Sequence, residues 1–182
     1  METTKHKMPP NTEEFFKKLS KYLDTKIYFF GSIQRNDYFP ESSDIDADIF
    51  TDNESSTISK MQNFLHLPKY DFKKFVYKLH KTNKLVYGYK VKYEDNMNNI
   101  KTEISIYNDK DKEDVLLEHN SKVNLPFFIS ILLIILKTFY YNFGIVPKTV
   151  YKYLKSIIMN YLVEGEDVEF ITIDVPKHKI DK

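Results

Sequence analysis

The chain has 182 residues, a formal net charge of +1, 42% hydrophobic and 29% charged residues, and no cysteine. That length supports one globular domain with a sizeable core but not two full-sized ones, and the composition is unlike that of a disordered chain. Near-neutral charge excludes a global pull toward long nucleic acid, and the lack of cysteine excludes disulfides, thiolate metal sites and cysteine nucleophiles.

Residues 1–10 lack the apolar core of a secretory signal. The most apolar stretch, Leu125 to Leu136, ends at Lys137, short of the roughly 18 residues a membrane span needs. The expectation is an intracellular, cytoplasmic protein that does not enter the membrane.

In chain order, Asn11 or Thr12 is placed to cap a helix whose first turn carries Glu13 and Glu14, with Phe15, Phe16, Leu19, Tyr22 and Leu23 on one face. Ile27 to Phe30 reads as a buried strand entering a turn at Gly31, followed by a polar, irregular stretch from Ser32 to Ser43. From Asp44 to Phe50 acidic and apolar residues alternate strictly, the period of a strand, with Ile45, Ala47 and Ile49 toward the core. Ile58, Met61 and Leu65 predict a helix. After Pro68, the spacing of Phe72, Phe75, Val76 and Leu79 predicts a second one with a lysine-rich outer face. Leu85 to Tyr93 and Ile100 to Tyr107 alternate as two antiparallel strands. The remainder reads as helices around Asp114 to Glu118, from Pro126 to Tyr141 and from Thr149 to Leu162, with a short strand at Val168 to Val175.

On one strand, Asp44, Asp46 and Asp48 must share a face. Three carboxylates on a ridge repel each other unless they are solvated or hold a cation, and divalent magnesium suits them because it prefers carboxylate oxygen and takes substrate phosphates as further ligands. Asp48 reads as a group supporting the metal ligands or as an exposed side chain rather than as a ligand itself, since two carboxylates already serve a metal pair. Upstream, Gly31 lets backbone amides approach a phosphate and Ser32 offers a hydroxyl. The five histidines show no metal-ligand spacing. The cluster Lys69, Lys73, Lys74, Lys78, Lys81 and Lys84 reads first as a solvated face.

The stretches Phe30-Gly31-Ser32 and Ser43-Asp44-Ile45-Asp46 resemble the glycine-serine and paired-aspartate signature of the DNA polymerase beta nucleotidyltransferase superfamily. Thr102-Glu103-Ile104-Ser105-Ile106-Tyr107-Asn108 is similar to the Asp-Ile-Ser-x-Asn segment that bears the third carboxylate in the terminal nucleotidyltransferases adding poly(A) or poly(U), with Glu in place of Asp. Leu125 to Lys137 resembles the helix whose lysine meets the triphosphate. Thr149-Val150-Tyr151 is similar to a Ser-Tyr pair that contacts phosphate and base, with Val150 replacing the serine.

The resemblance implies an α/β (α+β) nucleotidyltransferase fold, a small mixed sheet flanked by helices. Residues 11–110 would form the catalytic core and 111–165 a helical lobe closing the nucleotide cleft, with the 11–24 helix able to pack on it and 166–182 as a tail. It implies transfer of a nucleoside monophosphate from a nucleoside triphosphate to an acceptor hydroxyl, foremost an RNA 3′ end. Asp44, Asp46 and Glu103 would be catalytic and bind two Mg2+ or Mn2+ ions, while Gly31, Ser32, Lys137 and Tyr151 bind the nucleotide. Transfer to a protein or small molecule, synthesis of a nucleotide messenger, and an inactive scaffold that keeps the fold remain as alternatives. Base preference and oligomeric state are not legible.

Overall fold

The structure is a computed structural model that describes residues 2–40, 42–159 and the backbone of 170–173. The elements run α1 (Pro10–Leu23), β1 (Ile27–Phe30), a 3-10 turn (Gly31–Gln34), β2 (Ile45–Thr51), α2 (Glu54–Leu65), β3 (Lys73–Lys78), β4 (Leu85–Asp95) and β5 (Ile100–Asn108). They continue with α3 (Lys112–Ser121), α4 (Phe127–Lys137), a π turn (Thr138–Asn142), α5 (Lys148–Met159) and β6 (Phe170–Ile173). The strands form one sheet in the order β1-β2-β5-β4-β3-β6. β2 and β5 pair in parallel, and the other neighbours are antiparallel.

Period-2 burial divides the sheet into two faces. Ile45, Ala47 and Ile49 of β2 pack with Ile104 and Ile106 of β5 against Phe16 and Leu19 of α1 and Ile58 and Met61 of α2. The opposite face gathers Tyr28, Phe50, Phe75, Tyr77 and Tyr107 with Val115 of α3. Asp46 and Asp48 alternate with the first set and so point to the α3 side. Helices therefore cover both faces, as the sequence predicts. No helix among the described residues is long and apolar enough to cross a membrane.

The segment around Phe75 departs from expectation: it is strand β3, not a helix, paired in register with β4 from Lys73↔Lys90 to Lys78↔Leu85. Phe72, Phe75 and Leu79 fit a helical period, but Phe75, Tyr77 and Leu79 fit a period of two equally well, and all three are buried. Aromatic and β-branched side chains suit a pleated surface, and the β4 backbone needs hydrogen-bond partners on that edge. The cap of α1 also differs. Pro9 is the N-cap with no side-chain bond and Pro10 opens the helix, because a residue lacking an N–H loses nothing in the first turn. The helix expected through Tyr141 is α4 extended by the π turn. The expected elements at 149–162 and 168–175 are described as α5 and β6, and residues 160–162, 168, 169, 174 and 175 lie outside the described residues.

Candidate active site

The parallel register of β2 and β5 sets Asp46 beside Glu103, and Thr102 pins it by donating its hydroxyl to the Ile45 carbonyl at 2.7 Å. Asp44, just before β2, is exposed. Burial pushes Asp46 up to about 6; Lys155 and Lys90 oppose this while Glu103 and Asp44 add to it as like charges. Burial also raises Glu103, but Lys90 at 2.7 Å and Lys92 at 2.9 Å outweigh it and hold the carboxyl below the ordinary glutamate value.

Gly31 follows β1 with φ +72°, the left-handed region open to glycine. A Cβ there would collide with Oδ2 of Asp46, so the turn presses directly on the acidic pair. Ser32, next in the turn, is buried.

The helical wall faces these residues. The Lys137 ammonium is 2% exposed, donates to the Asp37 carbonyl at 2.6 Å and pairs with its carboxylate at 2.9 Å. Arg35 grips the same carboxylate through Nε at 2.8 Å and a second nitrogen at 3.2 Å. Burial raises Asp37, yet these two cations win and leave it at about 2. Burial lowers Lys137 to about 8, with Asp37 offsetting only part. One carboxylate between two cations leaves a surplus positive charge, and lysine rather than arginine is the group able to shed it. Tyr151 is 7% exposed and stacks on Tyr140, with ring centroids 4.1 Å apart and planes 8° from parallel. Burial and the neighbouring Tyr141 push its hydroxyl well up.

All seven residues singled out in the sequence, Gly31, Ser32, Asp44, Asp46, Glu103, Lys137 and Tyr151, line one cavity of about 430 Å³. That volume suits a nucleotide-sized ligand. Its wall carries Arg35 and six lysines against three carboxylates, a balance suited to a polyanion. Among the described residues, no three carboxylate or imidazole groups lie together at metal-binding spacing. A magnesium ion needs only one or two carboxylates when substrate phosphates complete its shell. Asp46, buried among like charges, with Asp44 on the same strand edge, fits that requirement in chemistry.

Sequence reading missed Lys155, Lys90, Lys92 and the Arg35–Asp37 pair. Tyr151, Lys155 and Met159 recur at four-residue spacing on α5, a signal that could have placed Lys155 on the cavity side. Asp48 is buried at 1% exposure, with Oδ2 3.0 Å from Nε2 of His119, whose ring stacks on Phe30 at 3.9 Å. Burial raises its carboxyl and His119 opposes the rise. In the lysine cluster, Lys84 bridges Asp111 and Asp114, while Lys73 stands in register with Lys90.

A family model described as nucleotidyltransferase domain matches residues 10–119, more than half of the chain. No curated protein matches the sequence. A solved structure titled "structure of GLD-2/RNP-8 complex" is similar over 87% of this chain at 13% identity with a TM-score of 0.38. This chain spans 55% of that one.

Proposed function

Since this chain belongs to the nucleotidyltransferase domain family, we propose that it is a nucleotidyltransferase that moves a nucleoside monophosphate from a nucleoside triphosphate to the 3′ hydroxyl of an RNA. The observation that carries the reading is the register of Asp46 with Glu103 across parallel strands, with the Gly31 turn packed on the Asp46 carboxylate. The acceptor oxygen attacks the α-phosphorus, the bond to the bridging oxygen breaks, and pyrophosphate leaves with that electron pair.

Asp44 and Asp46 would hold divalent magnesium or manganese, which supplies charge neutralisation at the attacking and leaving oxygens, and Glu103, engaged by Lys90 and Lys92, stands beside them. The Gly31 and Ser32 amides and the Ser32 hydroxyl hold the β- and γ-phosphates. Glu103 takes the proton from the acceptor hydroxyl, and Lys90 and Lys92 keep its carboxylate on the cavity side of the sheet. Lys137 acts on the phosphates from behind Asp37, and Tyr151 backs the base against the tyrosine stack. Residues 11–110 serve as the catalytic core, and residues 111–165 close the cleft. Support for RNA comes from the 102–108 resemblance and from Lys73, Lys90 and Lys92, which carry positive charge outward from Glu103.

The test is incubation with each labelled triphosphate, magnesium or manganese, and RNA, protein and small-molecule acceptors. Lengthened RNA is expected. Labelling of protein or a small molecule instead overturns the acceptor, and tight partner binding without any turnover favours the inactive scaffold.

A further inference from the structure

Lys155 sits on α5 one turn beyond Tyr151 and lines the cavity from the helical side. It is half-buried and has no carboxylate within ion-pair distance among the described residues. It shares that cavity with Asp44, Asp46 and Glu103 on the strand side and with Lys137 on the helical side. Lys137, by contrast, spends both its contacts on Asp37. The position one turn after Lys137 is Tyr141, which brings no second charge from that helix.

We infer that Lys155 is the residue that grips the triphosphate directly, while Lys137 is the strut that fixes the wall. A half-buried ammonium with no anion partner among the described residues, in one cavity with carboxylates that attract cations, is matched by a ligand whose phosphates bring negative charge between them. Lys152, exposed and also lining the cavity, extends the positive edge toward solvent. The inference deepens the proposed activity and rests on it.

The experiment is calorimetric titration of the full chain with ATP, GTP, CTP and UTP in magnesium, and with the matching monophosphates. For whichever triphosphate binds, Lys155→Gln is expected to weaken affinity about ten- to hundredfold, the worth of one charge-assisted hydrogen bond. The monophosphate should change less than threefold, and Lys155→Arg should restore most of the triphosphate affinity. Equal triphosphate affinity in Lys155→Gln and the parent chain overturns the inference. An equal loss for triphosphate and monophosphate overturns it too, because that is a wall defect rather than a lost phosphate contact. If the parent chain binds none of the four triphosphates, the proposed activity itself fails, a distinct result.

Discussion

Replacing Asp37 by Asn removes the only anion paired with two buried cations among the described residues. Arg35 is 7% exposed and Lys137 2%, and both point their charge at the same carboxylate. Breaking a buried pair from one side leaves an uncompensated charge and costs about 3–5 kcal/mol. For a chain of this length that lowers Tm by roughly 10 °C. Lys137→Met is asymmetric to it: Asp37 keeps both Arg35 bonds, so the cost should be about 1 kcal/mol. In Asp37→Asn with Lys137→Met the stranded ammonium is gone, and much of the lost stability should return. Urea denaturation followed by circular dichroism reads all three. The penalty of Asp37→Asn should also shrink as pH rises toward about 8, because Asp37 raises Lys137, and without it the lysine sheds its proton below the value of about 8 that it holds in the parent chain. Equal costs for the two single variants, or a cost under about 1 kcal/mol for Asp37→Asn, would refute the idea that a charge triad holds α4 to the loop before β2.

Asp44→Asn with Asp46→Asn should abolish transfer, while the melting temperature holds or rises because the desolvated Asp46 charge and its like-charged neighbour are removed; retained activity would mean the chemistry lies elsewhere. Gly31→Ala should cost about 1–2 kcal/mol from the left-handed backbone alone and more than tenfold in activity, as its methyl group displaces the Asp46 carboxylate. For pH, Lys137 sits at about 8 folded against 10.5 unfolded, so from about pH 8 to 10 the unfolded chain binds more protons. Stability relative to Lys137→Met should therefore rise with pH across that window, and a falling difference curve would contradict the assignment.

The acidic strand was legible because alternation of Asp with Ile and Ala admits one period only, and a second alternating segment placed Glu103 with Ile104 and Ile106 opposite it. The parallel pairing that brings Asp46 to Glu103 was not, because β2 and β5 are joined through α2, β3 and β4 and local patterns carry no information about such register. Phe75 to Leu79 misled because two periods fit the same apolar residues, and the edge of β4 decided between them. The charge triad was hidden for a related reason. Asp37 lies in a stretch with no period, and its partner Lys137 is 100 positions away. An apolar helix ending in lysine suggests a snorkelling side chain, whereas the ammonium here turns inward to a buried anion.

The two sides of the cavity are held by different forces, and this divides how each responds to change. On the strand side the carboxylates take their positions from backbone register, in which a slip of one residue would send Glu103 to the α1 and α2 face. For Asp44 and Asp46 charge adds nothing to that placement, so they can be altered while the sheet stands, whereas Glu103 is held further by Lys90 and Lys92. On the helical side Lys137 both orders the wall and contributes its charge, through a link from α4 to the loop that follows the Gly31–Gln34 turn. The same turn presses on Asp46. A displacement of Asp37 is thus transmitted in both directions, to the Lys137 ammonium above and to the Gly31–Gln34 turn below. Under the proposed activity, stability and substrate recognition are therefore separable at the acids and inseparable at the triad.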